Sequence, residues 1–259
     1  MNEIIIETKK RNSNTSIYTK KELYLLDEKK IPNHIAVIMD GNRRWGKKRG
    51  VTLPQAYKQG AEVLAYIVRA AVEIGVKIIT AFTFSTENWM RSPKEIKELM
   101  KILEEYLVQK RPIMQEEGVC FDTIGDLSKL SFSLQKELIK TKKVTNKGKK
   151  IDLILALNYG GRNEITRAMT KILSDYKKGK ITKKIITEEL LSDYLDTSKW
   201  KDPDMLIRTS GEQRLSNFLL WQISYSEVVV CDVLWPDFSK ENLLQAVLEF
   251  QKRKRRRGG

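Results

Sequence analysis

Short apolar runs rich in β-branched residues, each followed by a longer stretch with helical spacing, constrain the fold of this chain more than any other feature. Residues 35–39, 78–84, 119–124, 151–157, 205–207 and 228–234 read as strands. Between the first two, Val63, Ile67, Ala70 and Ile74 recur at three- and four-residue steps, the mark of a helix with one apolar face. Between the second and third, Ser92-Pro93-Lys94-Glu95 reads as a capping box with proline at the first helical position. This alternation predicts an α/β fold: one domain with a central parallel β-sheet of about six strands surrounded by helices. With 259 residues, 41% of them hydrophobic, the chain can bury the core such a domain needs. Residues 1–30 mix Lys, Glu, Asn and Thr with little periodicity and are expected to be an N-terminal extension, with the domain proper over residues 31–259.

Several function classes fall away on composition. No apolar run reaches the roughly 18 residues of a membrane span, and residues 1–10 match neither a signal nor a transit peptide, so a cytoplasmic protein is expected. Two cysteines far apart, Cys120 and Cys231, support neither a disulfide framework nor a zinc site and read as buried packing residues. The net charge of +15 is concentrated: residues 140–150 and 252–257 hold 12 of the 15 charges, and the remainder is close to neutral. A basic loop and a basic tail without zinc-finger spacing or basic–aromatic interleaving read as solvated surface, so no nucleic acid is expected as a partner.

In open parallel sheets the ligand site lies beyond the carboxyl ends of the strands. The residues there are polar and specific: Asp40-Gly41-Asn42-Arg43-Arg44-Trp45, Ser85-Thr86-Glu87-Asn88-Trp89, Asn158-Tyr159-Gly160-Gly161-Arg162, Arg208-Thr209-Ser210-Gly211-Glu212, and the loop around Trp235-Pro236. A glycine- and arginine-bearing loop that opens a helix suits phosphate, because free backbone N–H groups and the helix dipole favour an anion. Asp40 among those cations makes sense as a ligand of Mg²⁺ bridging to phosphate oxygens; an Asp-Gly turn with a capping role is the other reading of the loop. Arg208 and Arg214 flank a Ser-Gly turn, with Ser216 two residues on, and suit a second diphosphate. Glu227 before the last strand is a candidate second metal carboxylate or a solvated charge. His34, the only histidine, has no nearby ligand cluster and reads as structural. Ile96, Leu99, Met100, Ile102, Leu103, Tyr106 and Leu107 give the helix after residue 92 an apolar face wider than one core stripe. Core packing accounts for it; so does a wall for a substrate that is ionic at one end and hydrocarbon at the other.

These segments together resemble the cis-prenyltransferases, most closely the bacterial undecaprenyl diphosphate synthases, over residues 31–259. The resemblance rests on His34 to Trp45, Phe84 to Trp89 with Arg91, Asn158 to Arg162, Ile207 to Glu212 with Arg214 to Phe218, and Asp232 to Asp237. It implies a cis-prenyltransferase catalytic domain with an apolar tunnel between sheet and helices, usually in a homodimer. The implied reaction is sequential Mg²⁺-dependent condensation of isopentenyl diphosphate onto an allylic primer, farnesyl diphosphate. The implied product is a long polyprenyl diphosphate, undecaprenyl diphosphate, precursor of the bacterial cell-wall lipid carrier, released through transient membrane-surface contact. By the same resemblance Asp40 binds Mg²⁺ and assists departure of the allylic diphosphate, and Glu227 is the second metal carboxylate. Gly41, Asn42, Arg43, Arg44 and Trp45 cradle the allylic substrate; Arg208, Arg214, Leu215 and Ser216 belong to the isopentenyl diphosphate site. Ser85, Thr86, Glu87, Asn88, Trp89 and Arg91 border both, with Asn88 cast as proton acceptor. A neutral amide is a very weak base, so Asn88 by its own chemistry orients the isopentenyl group while a diphosphate oxygen takes the proton.

The chain departs from the family pattern at five positions. Leu53 and Tyr57 stand where an arginine and a histidine are usual, Arg43 and Ser210 where glycines are usual, and Gln213 where a histidine is common. Arg43 is the candidate replacement for the cation absent at Leu53. A non-catalytic partner subunit of a prenyltransferase is the alternative that Leu53 and Tyr57 keep open; a nucleic-acid-binding protein driven by the basic segments is another. Trans-type prenyltransferases are disfavoured by the absence of their aspartate-rich DDxxD pairs.

Overall fold

Strands that are apolar on both faces must be covered on both faces, and the structure meets that demand with a six-stranded parallel sheet. The computed structural model describes residues 16–181 and 185–254. In chain order the elements are α1 (Lys20–Tyr24), β1 (His34–Ile38), α2 (Asn42–Arg49), α3 (Leu53–Glu73), β2 (Ile78–Ser85), α4 (Pro93–Glu116) and β3 (Val119–Ile124). They continue with α5 (Phe132–Thr145), β4 (Ile151–Tyr159), α6 (Gly161–Lys177), α7 (Glu188–Tyr194), β5 (Met205–Arg208), β6 (Glu227–Val230) and α8 (Lys240–Lys252). The strand order is β3-β4-β2-β1-β5-β6, and every neighbouring pair is parallel.

Period-two alternation divides the buried residues between the faces. Ile35 and Val37 of β1 join Ile67 of α3, Leu107 of α4, Leu134 of α5 and Val247 of α8 in the larger core. Ala36 and Ile38 point the other way, onto Phe218, Leu219 and Ile223. The chain leaves β1 toward β2 on one side and returns to its other side only at β5. The carboxyl ends of β1 and β5 therefore form the crevice where strand order reverses, the place such sheets bind ligands.

The sequence expectations need correction at four points. The chain joins the packed domain well before residue 31: Tyr18 is 2% exposed and donates to the Lys240 carbonyl (3.2 Å), and the Ile17 and Tyr18 N–H groups donate to the Glu73 carboxylate. A Thr19/Glu22 capping box and the Lys240–Glu22 ion pair (2.9 Å) hold α1 in place. Residues 1–15 lie outside the described residues. The expected basic loop is partly helical, since α5 runs to Thr145 with Lys142 and Lys143 in its last turn, where they suit the dipole; Lys142 also pairs with Asp122 (2.6 Å). The last strand ends at Val230, because Cys231 N closes the ladder onto the Arg208 carbonyl and the chain then turns so that Trp235 N donates to the Asp40 carbonyl (2.9 Å). Both cysteines are free and half-buried rather than buried.

Candidate active site

The first loop is shaped by Gly41. Its φ of +112° is open to glycine, and a Cβ there would lie 2.4 Å from Ser210 Oγ and 3.0 Å from Leu234 Cδ2. Gly41 is also the N-cap of α2 and supplies no side chain, so the first-turn N–H groups face outward for an anion. Just before it, Asp40 is fixed by its backbone: its carbonyl accepts from Thr209 Oγ1 (2.7 Å) and from Trp235 N. The end of β1 is thus tied to the turn after β5 and to the loop after β6.

The Asp40 carboxylate meets two guanidinium groups. Arg208 Nη2 reaches Oδ2 at 2.9 Å and Arg44 Nη2 reaches Oδ1 at 3.3 Å. Arg208, with its side chain only 5% exposed, also donates from Nη1 to Ser216 Oγ (2.9 Å) and to the Arg214 carbonyl. Arg44 reaches on to Glu212 (3.0 Å) and the Ser210 carbonyl (3.3 Å). Three buried polar atoms in this neighbourhood have no partner: Arg208 Nε, Ser210 Oγ and Asn42 Oδ1. An unpartnered buried polar atom costs on the order of 1–3 kcal/mol, and of the three, Arg208 Nε and Asn42 Oδ1 belong to residues that line a cavity.

Among Asp40, Arg44 and Arg208 only the Asp40 carboxylate has the chemistry of a magnesium ligand, since guanidinium groups donate and cannot ligate a cation. Among the described residues no three His, Cys, Asp or Glu side chains cluster as an all-protein metal cage. Mg²⁺ commonly takes one or two carboxylates and completes its shell with phosphate oxygens and water, which suits Asp40 beside guanidinium groups. Glu227 is not its partner within one chain. The sheet register sets Glu227 level with Met205, at the amino end of β5, while Asp40 follows Ile38, which is level with Arg208. Strand geometry then separates the two by roughly 15–20 Å, and Glu227 is engaged instead by Arg253 Nη1 (3.0 Å).

A cavity of about 380 Å³ opens at this rim and runs between the sheet and the pair α3 and α4. Its mouth is lined by Asp40, Asn42, Tyr57, Asn88, Arg91, Arg208, Arg214 and Ser216, with Ser85 beside them; its depth is lined by Leu64, Phe82, Leu99, Ile102, Leu103 and Tyr106. Tyr106, the lining residue farthest along α4, donates its hydroxyl to the Ala61 carbonyl of α3 (3.0 Å). Both readings of the wide face of α4 apply: Leu103 and Leu107 belong to the core, and Leu99, Ile102, Leu103 and Tyr106 also line a cavity with a polar mouth.

Other residues singled out in the sequence stand outside the lining. Trp45 donates to Asp237 (2.7 Å), and Trp89 packs edge-on against Phe84 and donates to Asn158 (2.7 Å), so both indoles brace loops. Glu87 accepts from Asn217 (2.8 Å) and from Thr86, and Leu215 is 37% exposed. His34 is structural, buried between the Lys201 carbonyl (2.6 Å) and Thr80 Oγ1 (2.8 Å).

Residues 38–258 match the family model described as "Putative undecaprenyl diphosphate synthase". The chain belongs to this prenyltransferase family. It is 45% identical to the isoprenyl transferase of Chlamydia pneumoniae over 233 residues, covering 88% of this chain and 93% of that protein. It is 44% identical to the isoprenyl transferase of Clostridium perfringens, covering 92% and 94%. Among solved structures, lavandulyl diphosphate synthase from Lavandula x intermedia, crystallised with dimethylallyl diphosphate, superposes with a TM-score of 0.86 at 35% identity, covering 89% of this chain and all of that one. A probable undecaprenyl diphosphate synthase from Campylobacter jejuni gives 0.74 at 30%, covering 88% and 99%. The chain is thus a transferase of prenyl groups.

In this prenyltransferase one carboxylate that holds two of the cavity's lining residues, Tyr57 and Arg91, escaped the sequence reading. Glu95 looked like half of a capping box, and Ser92 Oγ does accept from Glu95 N (3.3 Å). Its carboxylate turns away from the helix end to Arg43, Tyr57 and Arg91, because a guanidinium is a stronger partner than a backbone amide. The four-residue spacing from Arg91 was the one local signal; Arg43 and Tyr57 are brought in by tertiary structure.

Proposed function

We propose that this protein is a magnesium-dependent cis-prenyltransferase that adds isopentenyl diphosphate repeatedly to farnesyl diphosphate, giving a long polyprenyl diphosphate of the undecaprenyl class for a cell-wall lipid carrier. The supporting observation is the Asp40 carboxylate, held between Arg208 and Arg44 at the mouth of a cavity whose depth is apolar. Diphosphates bind at the mouth: the allylic one on the α2 amides with Asn42 and Arg44, the isopentenyl one on Arg208, Arg214 and Ser216. Asp40 would hold Mg²⁺, which would supply Lewis-acid stabilisation of the departing diphosphate. The guanidinium groups stabilise the same developing charge in a site poor in water. The isopentenyl double bond attacks the allylic carbon as the carbon–oxygen bond breaks, and a proton leaves C2.

Asn88 positions that proton for departure. Its Oδ1 accepts from Ser85 N (3.1 Å), which fixes the amide plane; a diphosphate oxygen receives the proton, since an amide oxygen is too weak a base. Each added five-carbon unit gains roughly 4 kcal/mol when buried against Leu64, Leu99 and Leu103, which makes release of the finished lipid the slow event. Release at a membrane surface, a homodimer and a cytoplasmic location belong to the same reading. No described helix is long and apolar enough to cross a membrane.

The test is to incubate the purified protein alone with farnesyl diphosphate, labelled isopentenyl diphosphate and Mg²⁺, then size the extracted lipid. A ladder ending near eleven isoprene units, abolished by a chelator, is the expected result. No incorporation without a second protein would replace this reading with that of a partner subunit.

A further inference from the structure

Arg43 and Tyr57, brought together from α2 and α3, meet at one carboxylate. Arg43 Nη2 lies 2.7 Å from Glu95 Oε2; the Tyr57 hydroxyl donates to Glu95 Oε1 (2.9 Å). Arg91 Nη1 sits against both the Tyr57 hydroxyl (2.9 Å) and Oε1 (3.3 Å). The four residues come from α2, α3, the turn before α4, and the first turn of α4. Tyr57 and Arg91 line the cavity. The Glu95 side chain is 11% exposed, whereas that of Arg43 is 69% exposed.

One oxygen of Glu95 therefore meets the cavity-lining Tyr57 and Arg91, and the other holds the solvent-exposed guanidinium of Arg43 from the first turn of α2. A diphosphate entering the mouth competes with Glu95 for the same two cations and is repelled by Glu95 itself. The arginine end of the Arg43–Glu95 pair is exposed to solvent, which screens the attraction, so a multiply charged guest can draw Arg43 away.

We propose that Glu95 is a positioning residue for the allylic diphosphate: it stores Arg43 and Arg91 at the cavity mouth and yields Arg43 when the diphosphate enters. The negative charge of Glu95 then keeps the diphosphate head of each product from binding too tightly to leave. The inference rests on the reading of this mouth as an allylic-diphosphate site. It makes Arg43 a further cation for the allylic diphosphate, and it makes Tyr57 a neutral spacer that keeps Arg91 at the cavity wall.

Calorimetric titration with farnesyl diphosphate and, separately, isopentenyl diphosphate tests it without turnover. Glu95→Gln keeps the shape and removes the charge. It should tighten farnesyl diphosphate about five- to tenfold while moving isopentenyl diphosphate less than about twofold, and should lower kcat together with KM for the allylic substrate. Arg43→Gly, at an exposed position that folding tolerates, should weaken farnesyl diphosphate about tenfold and spare isopentenyl diphosphate. The double variant should lose most of the gain seen in Glu95→Gln. Unchanged or weaker farnesyl diphosphate binding in Glu95→Gln overturns the inference, as do equal effects of Arg43→Gly on the two ligands. Failure of the wild type to bind either diphosphate would instead refute the functional reading beneath it.

Discussion

At the scale of single residues, the chain separates buried groups that only stabilise from those aimed at a guest. His34 belongs to the first kind. Burial holds its imidazole neutral and pushes its pKa down from 6.5 to about 4, against the opposing pull of the Lys201 carbonyl and the Asp204 charge. Below about pH 6.5 the unfolded chain takes up a proton that the folded chain refuses. This contribution is therefore whole above that pH and declines as pH falls toward 4, by on the order of 3 kcal/mol in all. The wild type should lose about 2 kcal/mol more stability than His34→Gln between pH 7 and pH 5, read from urea midpoints at the two pH values. Identical pH slopes would show that His34 does not titrate this way. Arg208 is of the second kind: 4% exposed, paired with Asp40, and left with an unpartnered Nε.

Among the elements, the strands were legible because β-branched runs leave a local trace, and α3 was legible because Val63, Ile67 and Ala70 repeat on one face. What depends on register or on distant partners was not. Glu227 precedes a strand, which is readable, but its level relative to β5 and hence its distance from Asp40 is fixed only by sheet pairing. The packing of Tyr18 depends on Glu73 and Lys240, 55 and 222 residues away. α1 buries no residue of its own, so Tyr18 is the anchor of the N-terminal segment. Tyr18→Ala should cost on the order of 3 kcal/mol of stability, seen as a Tm several degrees lower, with the KM values for both diphosphates unchanged. A Tm within a degree of wild type would mean that residues 16–30 contribute nothing to the domain.

For the molecule as a whole, sheet topology places the ionic mouth and the parallel course of α3 and α4 supplies the hydrocarbon wall. The rim loops could be read because they follow strands; the convergence of Arg43, Tyr57, Arg91 and Glu95 could not, since four elements contribute to it. If the cavity receives the growing chain, its depth sets product length. Leu103 lines it and is 8% exposed, so Leu103→Trp should shift the lipid product several isoprene units shorter while initial rates for the first condensation stay within about threefold. Products of unchanged length would place the hydrocarbon elsewhere. The central claim, that the Asp40 carboxylate works beside Arg208 in diphosphate departure, is tested most directly by the single-turnover rate of the first condensation in Asp40→Asn. That rate should fall about a thousandfold at saturating substrates and Mg²⁺ with the fold intact. A rate within about threefold of wild type would contradict the account.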